Sequence, residues 1–371
     1  MIRSIKQPAD KRNPFNLYLA IAAGIVYIFR MSALRILITG GAGFIGSHLI
    51  RRLLTTTDAT ILNVDALTYA GNLDSLRDVQ DWPRYRFLRQ DIRDAAGISA
   101  VYTEFEPDQV VNLAAESHVD RSIAFPDVFI QTNIVGTFTM LEAARAYWIV
   151  LPSARRERFR FLHISTDEVY GSLGPTDAPF CEETPYMPRN PYSASKAAAD
   201  HLVRTWHETY GFPTLITNCS NNYGPFQYPE KLIPQTIACA LRGKPLAIHG
   251  DGRQIRDWLF VEDHVAAIQA VLERGRIGRS YLVGGENQHS VREVVDLICG
   301  VLDERRPLPN GSYRERLVSV ADRPGNDRRY AVDSSRIRSE LGWNRSVNVD
   351  EGLRRTVEWY LANESWLSAL R

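Results

Sequence analysis

A short apolar run that breaks into glycines and resumes as a helical pattern constrains this chain more than any other feature. Residues 35–39 read RILIT, and the following GGAGFIG sets Gly40, Gly43 and Gly46 three residues apart, ahead of a helical segment from Ile45 to Leu54. Glycines so placed permit a tight turn and a close approach of backbone to ligand, and the helix start offers unpaired N–H donors to negative charge. The next apolar run, ILNVD, ends on Asp65, nineteen residues after Gly46. A carboxylate there accepts hydrogen bonds from ribose hydroxyls and repels the extra phosphate of NADP, so this order of strand, glycines, helix and acid points to bound NAD. A turn serving only helix packing would explain the glycines but not the register of the acid. Phe44 and Ile45, which follow the glycine turn, join the glycines in the predicted cofactor site.

The same rhythm continues. YRFLRQDI, QVVNLAAE and RFLHIST are β-branched or aromatic runs bounded by turn residues or charges, and helices are predicted over Ile45 to Leu54, Ile134 to Tyr147 and Ser193 to Tyr210. Repeated βαβ units give an α/β fold, a Rossmann-type doubly wound parallel sheet covered on both faces. After about Asn222 the pattern loosens into NNYGPFQYPEKLIP, a glycine-containing segment around His249 to Gly252 and short apolar runs, which reads as a smaller C-terminal α/β substrate lobe. The expected organisation is an extension over 1–30, an NAD-binding domain over 31–221, and a mainly substrate-binding lobe over 222–371 with some segments returning to the first domain. Ligands in such sheets sit beyond the carboxyl ends of the strands. Asp91 and Ile92, at the end of the third strand, are placed to touch adenine. Leu113, Ala114 and Ala115, at the end of the fourth, are placed to lie against the cofactor, and Thr132 is assigned to the same site.

Composition narrows the function. In 371 residues, 44 basic side chains nearly balance 43 acidic ones, so no overall field favours nucleic acid or a membrane surface, and phosphate recognition must be local. Cys181, Cys219, Cys239 and Cys299 are scattered without a CxxC pair or neighbouring histidines, which argues against a metal site or a disulfide framework and for a reducing cytoplasm. The first thirty residues run against that placement: Arg3, Lys6, Lys11 and Arg12 precede an apolar run from Leu17 to Phe29, like the front of an export signal. The run is short for a membrane span and no small-residue cleavage site follows it, so a mis-assigned start or a loosely attached extension is expected.

The reacting groups stand further along. Tyr192 and Lys196 in YSASK are four apart, on one face of a helix. A tyrosine titrates at about pH 10, too high for an efficient base, but a nearby ammonium and a positive nicotinamide favour the phenolate. Thr166 ends RFLHIST at the carboxyl edge of the sheet, where its hydroxyl can bond the same substrate group, and Asp167 and Glu168 follow it directly. Away from a cofactor, adjacent carboxylates at a strand end read as solvated surface; beside Tyr192 and Lys196 they read as an acid and a base.

STDEVYG, PYSASK, NNYGPFQYPEKLIP, RQIRDW and DRPGNDRRY, in this order, resemble the nucleotide-sugar 4,6-dehydratases of the extended short-chain dehydrogenase family, from about Arg35 to the C-terminus. The resemblance implies that Tyr192, with Thr166 and Lys196, takes the 4-hydroxyl proton while a hydride leaves carbon 4 for NAD. Glu168 then removes the proton on carbon 5, Asp167 protonates the departing 6-hydroxyl, and the hydride returns to carbon 6. It also places His118, Thr166, Asn221, Lys231, Leu232, His249, Arg256, Arg323 and Asn326 around the sugar and diphosphate, and implies a homodimer. Overall similarity favours dTDP-glucose. Uridine or cytidine stays open, because the family pattern has a proline and an aromatic at Ala247 and His249, asparagines at Leu282 and Val291, and a histidine at Asn326. The rival is an epimerase or decarboxylase of the same fold, which uses Thr166, Tyr192 and Lys196 alone.

Overall fold

The computed structural model describes residues 17–22, 25–30, 33–322 and 326–369. Within the expected extension, β1 (Leu17–Ala22) and β2 (Ile25–Arg30) pair antiparallel with each other. The apolar run that resembled an export signal thus contains two strands, and the rest of the extension lies outside the described residues. No helix among the described residues is long and apolar enough to cross a membrane.

The chain then lays down β3 (Arg35–Thr39), β4 (Thr60–Asp65), β5 (Tyr85–Arg89), β6 (Gln109–Asn112), β7 (Arg160–Thr166) and β8 (Thr214–Cys219). Beyond them come β9 (Asn221–Tyr223), β10 (Leu246–His249), β11 (Ile255–Phe260), β12 (Ser280–Val283), β13 (Gln288–Ser290) and β14 (Leu317–Val320). Seven strands form one sheet in the order β12-β8-β7-β6-β3-β4-β5, every neighbouring pair parallel. Alternation along the strands packs both of its faces. Ile36 and Ile38 pack with Leu49 and Leu53 of the helix Phe44–Thr56 and with Val265 and Ile268 of the helix Val261–Arg274. Leu37 faces the other side, with Tyr102 of the helix Ala95–Phe105 and Met140 of the helix Gly136–Ile149. Each such side chain, fully buried, contributes roughly 1.5–3 kcal/mol.

Strand order reverses between β3 and β6, and the cleft at their carboxyl ends is where a doubly wound sheet binds its ligand. The strands at this mouth are shorter than their apolar runs: β5 stops at Arg89 and β6 at Asn112. Leu113 N still reaches Thr39 O at 3.2 Å, but Ala114 N bonds the Thr39 hydroxyl at 3.2 Å, so a side chain takes over from the ladder and the backbone turns out along the cleft. Ile130–Val135 forms a wide π-helical turn before the helix Gly136–Ile149, and this turn carries Thr132.

A second core gathers Tyr223, Trp258, Phe260, Ile298, Leu353 and Tyr360. It lies among the mixed sheet β13-β11-β9, the parallel pair β10-β14 and the helices Leu232–Leu241, Val291–Arg305 and Val349–Ala362. β12 belongs by sequence to this later part yet forms the edge of the main sheet.

Candidate active site

Gly40 turns the chain out of β3 with φ +73°, and a Cβ on it would lie 2.7 Å from Ala114 N. At Gly46 a Cβ would fall 2.3 Å from Gly40 O, so packing of the turn alone demands glycine there. Gly43 is different. As N-cap of the helix Phe44–Thr56 it has φ −79°, and a Cβ on it would meet only Gly40 O, at 3.2 Å. Its bareness serves the cleft side, where the helix start carries no side-chain cap and no acidic residue in its first turn. Asp65, buried at the end of β4, accepts Ala42 N at 2.9 Å through Oδ2 and Leu67 N at 2.8 Å through Oδ1. Burial raises its pKa while those two N–H groups oppose the shift, and each oxygen keeps acceptor capacity for a ribose.

A cavity of about 530 Å³ runs from this turn to the second core. Every cofactor residue expected from the sequence lines it: Gly40, Gly43, Phe44, Ile45, Gly46, Asp65, Asp91, Ile92, Leu113, Ala114, Ala115, Thr132, Tyr192 and Lys196. Asp91 is already held by Arg93, whose guanidinium reaches its carboxylate at 2.7 Å, and that bond lowers its pKa. The cradle of bare glycine, open helix start and a buried carboxylate with spare acceptor capacity fits NAD.

Thr166, Asp167 and Glu168 line the same wall, with Tyr192 and Lys196. Thr166 ends β7, and its Oγ1 accepts Glu168 N at 3.2 Å, which folds the two acids into the short 3₁₀ turn Asp167–Tyr170. The helix Pro191–Tyr210 brings in Tyr192 and Lys196; its start is fixed by Asn190, whose side chain accepts Ser193 N at 2.8 Å in a reciprocal capping box. Burial, then the charges of Glu168 and Asp257, push the Asp167 carboxyl well up. Burial also raises Glu168, but Lys231 and Arg256 pull against it, so of the two it is Asp167 that is held more strongly toward its protonated form. Asp167 Oδ2 and Asn221 Oδ1 are buried in the wall without a hydrogen-bond partner among the described residues, as groups that bond a ligand would be.

Of the residues expected around the sugar and diphosphate, His118, Thr166, Asn221, Lys231, Leu232, His249, Arg256 and Asn326 line the cavity, and Arg323 lies outside the described residues. Arg256 projects from β11 over the Tyr330 ring, 4.4 Å from its centroid, and donates to Asn326 Oδ1 at 3.0 Å. Lys231 Nζ donates to Ser117 O at 2.8 Å across the cleft.

The family model described as GDP-mannose 4,6 dehydratase matches residues 37–356. The dTDP-glucose 4,6-dehydratase of Neisseria meningitidis is 56% identical over 335 residues, 90% of this chain and 94% of that protein. That of Salmonella typhimurium is 54% identical over 346 residues, 91% of this chain and 96% of the other. This chain belongs to the nucleotide-sugar 4,6-dehydratase family. Its backbone agrees: the dTDP-glucose 4,6-dehydratase of Streptomyces venezuelae, solved with NAD bound, superimposes with a TM-score of 0.83 at 41% identity, covering 91% of this chain and all of that one.

Within the dehydratase family, the departures noted in sequence divide by position. Leu282 is fully buried in β12, packed with Tyr330 and Val332, and Ala247 points outward from β10, so neither lines the cavity and the expectation that they bear on base recognition is corrected. His249, Val291 and Asn326 do line it. Sequence reasoning missed Asn190, Asp257 and Tyr330. Asn190 was signalled by Asn-Pro ahead of a helix with serine at the third position, although nothing in that pattern shows that its amide also reaches Glu168 and favours the ionised carboxylate.

Proposed function

We propose that this dehydratase converts dTDP-glucose to its 4-keto-6-deoxy sugar nucleotide, with Thr166, Asp167, Glu168, Tyr192 and Lys196 as its reacting groups. One observation carries the reading: a buried Asp167 and a half-buried Glu168 stand side by side in the wall that also holds Thr166 and the Tyr192–Lys196 turn. NAD, when bound, supplies reversible hydride acceptance. Tyr192 removes the proton of the 4-hydroxyl, with Thr166 Oγ1 holding that oxygen. Burial and the Glu168 charge push the phenol pKa well up, so it needs the Lys196 charge one helical turn away to act as a base. Once carbon 4 is a ketone, the proton on carbon 5 is acidic; Glu168 takes it while Asp167 delivers its own proton to the leaving 6-hydroxyl. Glu168 then returns its proton to carbon 5. Arg256 and Lys231 are the charge-assisted donors for the diphosphate, with His249 beside the base.

An epimerase or decarboxylase has no use for an acid pair beside Thr166, Tyr192 and Lys196, and that reading is not favoured. Incubating the purified protein with dTDP-, UDP- and CDP-glucose and weighing the products tests the assignment: dTDP-glucose loses the mass of one water, fastest of the three. An unchanged mass with inverted stereochemistry would make it an epimerase.

The protein works as a homodimer in the cytoplasm. Ile123, Phe125, Ile130 and Phe138 are 44, 61, 42 and 45% exposed along the short helices and the helix Gly136–Ile149 that flank the cleft, an apolar surface that a second copy would bury. Four free thiols suit a reducing compartment. Sedimentation at micromolar concentration gives twice the chain mass; a single-chain mass rules the dimer out.

A further inference from the structure

Lys196 is held from behind by His163 and Asp200, which do not line the cleft, and by a backbone carbonyl of β7. Its Nζ donates to Ile164 O at 2.7 Å and lies 3.2 Å from His163 Nε2. One helical turn on, Asp200 is completely buried. Its Oδ2 accepts from Ser165 Oγ at 2.9 Å, Tyr186 Oη at 2.8 Å and Asn218 Nδ2 at 3.1 Å, while Oδ1 has no hydrogen-bond partner among the described residues and faces His163 Nε2 at 3.5 Å. On the far side of the imidazole, Thr39 Oγ1 accepts Ala114 N and donates to Asn112 Oδ1 at 2.7 Å, and Asn112 Nδ2 lies 3.1 Å from His163 Nδ1. With the Asn112 oxygen taken by Thr39, its NH₂ faces Nδ1, which must accept, so the ring proton sits on Nε2.

That Nε2–H has two acceptors in reach. Asp200 Oδ1 can always accept it, whereas Lys196 Nζ accepts only as the free amine, because an ammonium has no lone pair. We propose that His163 and Asp200 are positioning residues for Lys196: Asp200 is its buried counter-ion, and His163 is a tautomer-locked donor that turns to the carboxylate when the lysine is charged and to the amine when it is not. The charge that Tyr192 depends on is thereby set behind the cleft, an inference that rests on the role given to Lys196 above.

The groups facing Lys196 are Asp200 on its own helix, His163 on β7 and Cys219 on β8; Asp200 in turn faces Arg204, Tyr170 and Tyr186. Burial lowers Lys196 to about 8, opposed by Asp200 and then Cys219, and it is burial again, with the Lys196 charge, that keeps His163 neutral. Without the Asp200 charge, burial is opposed less.

The chain has only five lysines, Lys6, Lys11, Lys196, Lys231 and Lys244, so holoenzyme carrying carbon-13 at lysine Cε gives a readable NMR titration, with Lys196 assigned by its loss in Lys196→Arg. Asp200→Asn is expected to lower the Lys196 midpoint by about one pH unit, a tenfold change in its protonation equilibrium. His163→Gln, whose amide oxygen can accept from the ammonium, raises it. In each variant the alkaline limb of NADH formation from dTDP-glucose moves with the lysine, which a merely structural loss would not produce. An unmoved Lys196 midpoint in either folded variant overturns the inference. Shifted midpoints in a protein whose wild type never dehydrates dTDP-glucose would uphold the network and overturn the reaction assigned above.

Discussion

Neighbouring carboxyl groups do opposite jobs only if their protons are held apart, and Asp167 and Glu168 are separated by what surrounds each. Asp167 is buried beside Glu168 and Asp257 with Arg256 opposing them, whereas Glu168 is half-buried and faces Lys231 and Arg256 ahead of the acid Asp327. Replacing Glu168 by Gln keeps size and polarity but removes the base. Turnover should fall about 10²- to 10⁴-fold with substrate affinity nearly unchanged, and NADH fluorescence should rise once and persist, because oxidation at carbon 4 still proceeds. Stopped-flow fluorescence with product mass reads both, and an undiminished rate would remove Glu168 from the mechanism. The gathering of these five residues on one wall was legible because each follows from local spacing: Tyr192 and Lys196 share a helical face, Thr166 ends β7, and Asp167 and Glu168 open the turn after it. Asp200 and His163 were not, since a charged residue inside a helix and a histidine inside an apolar strand carry no sign of each other until the helix Pro191–Tyr210 packs on β7. Leu282 misled for the same reason, its place depending on β12 returning to the main sheet.

The turn from β3 into the helix Phe44–Thr56 separates glycines kept for packing from glycines kept for a ligand. At Gly46 an added Cβ would collide with Gly40 O at 2.3 Å and Gly41 Cα at 2.6 Å, backbone atoms that cannot yield, so Gly46→Ala should cost about 1–3 kcal/mol of stability. At Gly43 the added methyl would meet one carbonyl oxygen at 3.2 Å and otherwise face the cleft. Gly43→Ala should therefore cost about 1 kcal/mol or less in the cofactor-free protein while weakening NAD about tenfold or more, since the diphosphate loses its close approach to the helix start. Thermal melts without NAD, paired with NAD titrations, separate the two; equal melting losses in both variants would mean that Gly43 too is a packing residue. The GxxGxxG spacing made the turn legible but could not rank its glycines. The ends of β5 and β6 were less legible, because the apolar runs continue past the point where the Thr39 hydroxyl captures Ala114 N.

Two histidines join the main sheet layer to the second core, and both are neutral inside the fold. His48 Nε2 bonds Pro225 O at 3.0 Å from the helix Phe44–Thr56, and His264 Nδ1 bonds Asn222 Oδ1 at 2.8 Å from the helix Val261–Arg274 to β9. Burial lowers His48 from 6.5 to about 4 and His264 from 6.5 to about 3. Below pH 6.5 the unfolded chain takes up protons that the folded chain refuses. The stabilisation is therefore complete above 6.5 and is lost progressively as pH falls toward the folded values, each unit of displacement being worth about 1.4 kcal/mol. Asp257 works the other way: burial raises it to about 6, so the folded chain binds its proton first and gains stability between about 6 and 3.8 on acidification. Because the two effects overlap, the raw melting curve of the wild type mixes them, and the difference between chains isolates the histidine. In His264→Gln the neutral amide keeps a donor for Asn222 but cannot titrate, so its unfolding free energy should fall less between pH 7 and pH 5 than that of the wild type, by about 1–2 kcal/mol. Denaturant unfolding at a series of pH values measures this directly. Parallel pH profiles for the two proteins would mean that His264 is protonated in the fold and that its bond to Asn222 is not the neutral joint described here.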